Sequence, residues 1–159
     1  MITVKLLDIL NASGVRNQNT PEQENTGLAK IMELPLSAKL SYRLSKLAKE
    51  INAKKVIFQE TQKKLFEKYG EKVFENVLDK DNNVVVDDKG NIQKRDTNQI
   101  QLFPENIEKF NKEMEELLVE DETLNAFPIP LQMIEECGAQ IASNDMLMIL
   151  PFIIDEDGV

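Results

Sequence analysis

The stretch SAKLSYRLSKLAKEI, residues 37–51, decides the fold because its apolar residues recur with the period of a helix. They follow one another at spacings of four, three and four residues: Leu40, Leu44, Leu47 and Ile51. Such spacing puts them on one face of an α-helix. An apolar stripe of this kind is stable only when another part of the protein covers it. The rest of the sequence therefore has to supply that cover.

A single long helix over residues 38–69 is predicted around this stripe. Ser37 is a suitable N-cap residue, and Gly70 stands at the C′ position, where helices commonly end in a left-handed residue. Lys54 and Thr61 fall where the alternation calls for apolar residues, so the pattern argues against a long coiled-coil seam. A helix of about 30 residues spans roughly 45 Å, which is too long for one short element to cover.

A second amphipathic helix is predicted over residues 104–120, with Pro104 at its first position. Its apolar residues recur at spacings of three, four and three: Ile107, Phe110, Met114 and Leu117. Residues 38–72 carry ten Lys or Arg and four Glu, whereas residues 105–122 carry eight Asp or Glu and two Lys. The opposite charges favour an antiparallel pair, in which each exposed ion pair contributes only about 0 to 1 kcal/mol. We therefore expect the apolar stripes to supply most of the stability.

The N-terminal segment predicts two short elements and a loop. Residues 1–13 are expected to begin as a strand and become a helix that Gly14 ends. Residues 16–26 are polar and lack periodicity, which is typical of an exposed loop. Thr26 is then a candidate N-cap for a helix over residues 27–34.

The remaining segments predict a β-hairpin and a last helix. Residues 73–101 contain consecutive valines beside the turn sequence DDKG, which favours a hairpin or small meander. Ser143 is expected to cap a C-terminal helix over residues 143–151 that folds back onto the main hairpin. No internal repeat of fixed period is expected.

The predicted fold is one domain, residues 1–159, of the mostly α (α+β) class. Its architecture is an antiparallel long-helix hairpin with a small β-hairpin insertion and a short C-terminal helix. The residues predicted to be buried between the two helices are Leu44, Leu47, Ile51, Phe58, Ile107, Phe110 and Met114.

Composition argues against several classes of function. The formal net charge is −9, which repels nucleic acid and anionic membrane surfaces, so neither is expected as a partner. No apolar run approaches the roughly 20 residues that span a bilayer. The sequence has no histidine and one cysteine, Cys137, and it contains no nucleotide-binding or nucleophile motif. We therefore expect no enzymatic activity and no cofactor, and we interpret Cys137 as structural.

Two local patterns admit a functional interpretation beside a simpler one. DKDNN, residues 79–83, begins like a calcium loop, but Val84 and Gly90 replace the glycine and glutamate that such a loop needs, so a polar turn is favoured. A basic helix face could contact phosphates, with Tyr42 as a stacking residue: Lys39, Arg43, Lys46 and Lys49. A solvated flank that the acidic second helix partly neutralises is favoured here as well.

Sequence features along most of the chain resemble a family of small bacteriophage proteins encoded among morphogenesis genes. The resemblance rests on SAKLSYRLSKLAKEI followed by LFEKYGEK, then on PENIEKFNKEMEELL, PIPL and NDMLMILPFI. It implies a phage origin and a role as a virion component or assembly factor. It implies no catalytic residues.

These observations predict a non-enzymatic phage structural or assembly protein, located in the virion and assembled in the host cytoplasm. Its partners would be other phage proteins or copies of itself. The apolar residues near the ends of the main helix and the C-terminus exceed what a small core needs, so an exposed docking patch is expected. Its predicted residues are Ile57, Phe66, Tyr69, Met146, Leu150, Phe152 and Ile153.

An alternative function stays open at this point. A phage host-takeover or anti-defence protein could bind a host enzyme through an acidic face that imitates nucleic acid. The carboxylates that suggest it are Glu113, Glu115, Glu116, Glu120, Asp121 and Glu122.

Overall fold

The computed structural model describes residues 1–14 and 27–155 and shows a mixed helix and sheet fold of the α+β class. The helices are α1 (Leu6–Ala12), α2 (Leu28–Met32), α3 (Ala38–Tyr69), α4 (Ile107–Leu118), α5 (Leu131–Glu136) and α6 (Ser143–Ile149). The strands are β1 (Ile2–Lys5), β2 (Gly70–Asn76), β3 (Lys94–Leu102), β4 (Asp121–Leu124), β5 (Ile129–Pro130) and β6 (Ile153–Ile154). Short 3₁₀ turns cover Pro104–Asn106 and Leu150–Phe152.

The chain divides into two compact units. Unit 1 comprises Met1–Gln59 and Glu115–Val159, and unit 2 comprises Glu60–Met114. That all 159 residues fold as one domain stays a prediction. The predicted loop over residues 16–26 and the predicted cap at Thr26 lie outside the described residues.

The core of unit 1 shows what covers the first half of the apolar stripe. Leu40, Leu44 and Leu47 are at most 1% exposed. They belong to one buried cluster with residues from the N-terminal strand, the first helix and the C-terminal segment, which include Ile2, Val4, Ile9, Leu124, Ile149 and Phe152. The N- and C-terminal segments therefore cover this part of the stripe, and the C-terminal helix contributes Ile149 to the cluster. That this helix folds back onto a helical hairpin stays a prediction.

Strand pairing in unit 1 explains how the two ends of the chain reach this core. β1 pairs antiparallel with β4, with Ile2 opposite Leu124, and its alternating pattern buries Ile2 and Val4. β5 pairs in parallel with β6, with Ile129 opposite Ile153. Strand β4 was not expected, because the acidic run from residue 120 to residue 122 looks like the end of a solvated helix.

The predicted bounds of the main helix, 38–69, are confirmed. The Oγ of Ser37 accepts a 3.3 Å hydrogen bond from the main-chain N–H of Leu40, as an N-cap should. The predicted role of Gly70 is wrong, because it is the first residue of β2 and is not in the left-handed region. A Cβ atom there would lie 2.5 Å from the carbonyl oxygen of Gln101, so close strand approach is what requires glycine.

Two further predictions need correction. Ser143 is the first residue of α6 instead of its cap; the N-cap is Ala142, which is extended. Ile107 was expected to be buried but is 45% exposed. Ile107 is the first residue of α4. The end of α3 is contacted by the residues just before Ile107: the carbonyl of Tyr69 accepts hydrogen bonds from the main chain of Phe103 and from the side chain of Asn106. Of the other predicted core residues, Met114 is half-buried, and five are buried: Leu44, Leu47, Ile51, Phe58 and Phe110.

Candidate interaction surface

Unit 2 contains a two-stranded β-arm, which we define as residues 70–102. Strands β2 and β3 pair antiparallel from Gly70 opposite Leu102 to Asn76 opposite Lys94. Thr97 and Asn98 form a bulge opposite the step from Val73 to Phe74, and Asn98 has a φ of 58°. The bulge is held by a 2.7 Å hydrogen bond from the Thr97 hydroxyl to the carbonyl of Val73. The predicted β-hairpin over residues 73–101 therefore lies within this arm.

The middle of the β-arm is an internal repeat with a period of eight residues. VLDKDNNVV, residues 77–85, is followed by VVDDKGNIQ, residues 85–93, with Val85 shared. Each copy forms a small turn closed by an antiparallel bridge, Leu78 to Val84 in the first and Val86 to Ile92 in the second. The expectation of no internal repeat is therefore wrong.

An aspartate organises each turn in the same way. Oδ1 of Asp79 accepts main-chain hydrogen bonds from Asp81 at 2.8 Å and from Asn83 at 2.9 Å. Oδ1 of Asp87 accepts hydrogen bonds of 2.8 Å from the main chains of Lys89 and Asn91. These are Asx turns, so the prediction that residues 79–83 form a polar turn is confirmed.

The two turns share one further backbone feature. Asn82 and Gly90 occupy equivalent positions and both have positive φ, 62° and 79°. Asparagine and glycine are the residues that adopt this conformation most readily. The same turn geometry therefore follows from two different residue types, which hides the repeat at the level of sequence identity.

The hydrogen bonds that hold each turn lower the pKa of its aspartate. For Asp79 the largest cause is the hydrogen bond from the backbone of Asn83, followed by that from Asp81. For Asp87 the hydrogen bond from the backbone of Asn91 lowers the pKa most, and the hydrogen bond from the side chain of Asn91 is the second cause. In both cases the donors stabilise the charged carboxylate.

Three main-chain hydrogen bonds close a ring at the base of the two turns. The N–H of Val85 donates to the carbonyl of Val77, that of Gln93 to Val85, and that of Val77 to Gln93, each at 2.9 Å. The ring joins the stem of the arm and its two turns in a three-way junction. Backbone bonding therefore fixes the middle of the arm, where all side chains are exposed or half-buried.

The β-arm carries five exposed apolar side chains, which together we call its apolar face. Four of them form the two bridges, Leu78 with Val84 and Val86 with Ile92, and the fifth, Phe74, lies in β2. Their exposed fractions are Phe74 54%, Leu78 53%, Val84 42%, Val86 55% and Ile92 50%. Among the residues of unit 2, only Phe110 is buried. The arm therefore presents apolar side chains that its own unit does not cover.

Contacts within unit 2 join the C-terminal part of α3 to α4. The rings of Phe66 and Phe110 have centroids 4.7 Å apart. Nζ of Lys68 lies 2.6 Å from Oε1 of Glu113, which also accepts a hydrogen bond from the Tyr69 hydroxyl. Lys68, and then Tyr69, lower the pKa of the Glu113 carboxyl by stabilising its charge.

The residues predicted to form a docking patch have different environments. Ile57 is 58% exposed and Leu150 is 54% exposed. Phe66 and Tyr69 are half-buried and take part in the contacts to α4 described above. In unit 1, Met146 and Ile153 are half-buried against the core.

Phe152 is the clear exception among these predicted residues. Its side chain is 0% exposed and lies in the core of unit 1, so the prediction that it is a surface residue is wrong. The 3₁₀ turn Leu150–Phe152 directs Phe152 inward while Leu150 remains on the surface.

Other predicted sites have structural surroundings. The Sγ of half-buried Cys137 donates a 3.0 Å hydrogen bond to the carbonyl of Ile134 and packs against the core. Within residues 1–14 and 27–155, no three Cys, Asp or Glu side chains are grouped as metal ligands. In the same described part of the chain, no helix combines the length and apolarity needed to cross a membrane.

Sequence reasoning did not identify the apolar face of the β-arm. The signal that could have revealed it is the eight-residue spacing that relates Val77, Asp79 and Asn83 to Val85, Asp87 and Asn91. Comparison with protein-family models, with curated proteins and with solved structures finds no match for this chain.

Proposed function

We propose that this protein is a non-enzymatic structural or assembly component that acts by binding other protein subunits, in a bacteriophage virion. The observation that carries the proposal is the apolar face of the β-arm, whose five side chains are 42% to 55% exposed. Exposed apolar side chains that are grouped within one short segment are typical of a protein interaction site. The virion setting rests on the sequence resemblance alone.

The construction of the β-arm supports a docking role. Backbone hydrogen bonds and Asx turns hold its middle, so its apolar side chains are not required for a local core. A partner that covered this face would gain about 25 cal/mol for each Å² of apolar surface removed from water. A two-stranded arm also has two open edges that can pair with a strand of another subunit.

We also propose that α3 and α4 form the antiparallel hairpin that the sequence predicts. Two contacts within unit 2 support this arrangement. The side chain of Asn106, just before α4, donates a hydrogen bond to the carbonyl of Tyr69 at the end of α3. Phe66, three residues earlier on α3, contacts Phe110, four residues later in the chain than Asn106. An earlier residue of α3 thus has a later partner, as an antiparallel pair requires.

The test is incorporation into particles of the phage that encodes the protein. Mass spectrometry of purified virions should detect the wild-type protein at a fixed copy number. The double variant Leu78→Ser, Val86→Ser should be depleted from the particles, because it removes apolar surface from the arm while both positions are exposed. The matched control Lys80→Ser, Lys89→Ser changes exposed residues of the same two turns and should be incorporated normally.

Two results would contradict the proposal. Absence of the wild-type protein from purified virions would remove the virion role. Equal incorporation of the apolar-face variant and the control would show that the arm does not carry the contact. Thermal unfolding of each purified variant checks that any depletion does not come from misfolding.

The alternative role, binding a host enzyme through an acidic face, has weaker support. At least three of the six carboxylates that suggest it are engaged within the chain: Glu113 with Lys68, Asp121 with Lys5, and Glu122 with Lys54. A pull-down from host lysate that retained a nuclease or polymerase in a salt-sensitive complex would favour this alternative.

A further inference from the structure

A basic patch in unit 1 surrounds an exposed aromatic ring. Lys39, Arg43 and Lys46 recur on one flank of α3 at spacings of four and three residues. Phe127 is 58% exposed, and its ring centroid lies 6.0 Å from Cζ of Arg43 and 5.4 Å from Nζ of Lys46. Arg43 also donates a 3.1 Å hydrogen bond to the carbonyl of Pro128. These contacts hold the ring between two cations at the surface.

The charges of the basic patch are not neutralised within the described structure. The acidic segment that follows α4 pairs with Lys54 instead, further along α3. Within residues 1–14 and 27–155, none of the ion pairs involves Lys39, Arg43 or Lys46. The first turn of α3 has no acidic residue, although the positive end of the helix dipole lies there. The patch therefore attracts carboxylates, and the described residues pair none with it.

Unit 1 also carries an acidic patch with a matching design. Of the five carboxylates in residues 115–122, Asp121 pairs with Lys5 and Glu122 pairs with Lys54, and the patch consists of Glu115 and Glu120. Glu115 and Glu120 are exposed, and between them Val119 is 61% exposed. Like the basic patch, this acidic patch has an apolar side chain among charges of one sign. The signs are opposite in the two patches.

We infer that the basic patch of one copy docks on the acidic patch of a second copy, with Phe127 against Val119. Charge complementarity of the two patches identifies the occupant as this same chain. Such a contact closes as a two-fold dimer when both patches of each copy are engaged with the same partner, and otherwise it generates a ring or a filament.

This inference rests on the proposed function in that it names a copy of the chain as a partner. It uses a different surface from the β-arm, so the two can fail separately. If wild type does not self-associate but its incorporation into virions depends on the arm, only the inference is overturned. If wild type self-associates through the two patches but incorporation does not depend on the arm, only the role of the arm is overturned.

Charge reversal on the full chain tests the contact. Lys39→Glu with Lys46→Glu reverses the basic patch, and Glu115→Lys with Glu120→Lys reverses the acidic patch; all four side chains are exposed. In sedimentation analysis, wild type should self-associate and each variant alone should do so at least about tenfold more weakly. An equimolar mixture of the two variants should associate again, because each contact then joins opposite charges. The control Lys63→Glu, Lys64→Glu reverses exposed cations elsewhere on α3 and should behave as wild type.

Several outcomes would overturn the inference. They are a monomeric wild type at the highest concentration reached, self-association that survives both reversals, and a mixture that stays monomeric. Binding of a labelled single-stranded oligonucleotide by a monomeric wild type, lost on reversal of the basic patch, would assign the patch to nucleic acid instead. Phe127→Ala adds a readout of the apolar contact and should weaken self-association without lowering the thermal stability.

Discussion

The main-chain N–H of Gly27 donates a 2.8 Å hydrogen bond to Oδ1 of Asp145, across 118 positions of sequence. Asp145 is 5% exposed and is the one charged side chain that is buried among residues 1–14 and 27–155. The bond ties the N-cap of α2 to the first turn of α6. A buried carboxylate thus joins two short helices that have little propensity to form alone.

Removing this carboxylate should destabilise the protein. Asp145→Ala leaves the buried N–H of Gly27 without its partner, and such a loss costs about 1 to 3 kcal/mol. Asp145→Asn keeps an oxygen acceptor and should cost less. Urea denaturation followed by circular dichroism measures both changes. Equal stability of wild type and Asp145→Ala would show that the hydrogen bond contributes nothing.

Truncation of the buried stripe should be more costly. Leu47 is 0% exposed at the centre of the core of unit 1, and Leu47→Ala should lower the free energy of unfolding by about 2 to 5 kcal/mol. Leu147→Ala is a matched control, because this leucine is 65% exposed and its loss should change stability by less than about 0.5 kcal/mol. A small effect at both positions would contradict the assignment of Leu47 to the core.

Deletion of the C-terminal segment after Ser143 should unfold unit 1. The deletion removes Ile149 and Phe152, both fully buried in the same cluster as the α3 stripe. It also removes Asp145, the partner of Gly27. Proteolysis of the truncated chain should be fast at sites within residues 27–59. Protection equal to that of the full chain would contradict the role of the C-terminal segment in the core.

Acid should loosen the two turns of the β-arm. The pKa of Asp79 and of Asp87 is lowered in the folded protein from its ordinary value of 3.8 by hydrogen bonds to the carboxylate. The stabilisation is therefore present above pH 3.8 and is lost as the pH falls through the folded value. The protection of the Asn83 and Asn91 amides against hydrogen exchange, relative to the intrinsic rate at each pH, should fall there. Asp79→Asn, which does not titrate, should remove this pH dependence of the protection at Asn83 only.

The sequence predicted elements well where one local signal was strong. The bounds of α3 follow from the cap at Ser37 and from a stripe that is covered in the structure. Ile107 has the same helical spacing as its buried neighbours, but its position at the start of α4 leaves it exposed. The periodicity of apolar residues identifies the buried face of a helix. Whether the residues at the ends of that face are buried depends on which neighbouring elements reach them.

Features that depend on distant pairing were not predictable in this way. The acidic composition of β4 contradicts strand propensity, and its formation depends on β1, which lies at the other end of the chain. The apolar face of the β-arm depends on hydrogen bonds among Val77, Val85 and Gln93, which composition does not reveal. The sequence also predicted neutralisation of the basic flank of α3, whereas the described ion pairs reach Lys54 and leave Lys39, Arg43 and Lys46 without one.

The division of the chain into a continuous and a discontinuous unit sets an order of folding. Unit 2 is one stretch, Glu60–Met114, so its turns can form while the chain is still being synthesised. Unit 1 cannot form before Glu115–Val159 has been synthesised, because β1 pairs with β4. The pairing closes the long loop between these two strands, which is slow. We therefore expect the nascent chain to contain a formed β-arm while its N-terminal strand still lacks a partner. During that interval the strand edge is open to pairing with other chains, which predicts misassembly at this stage more than from the finished protein.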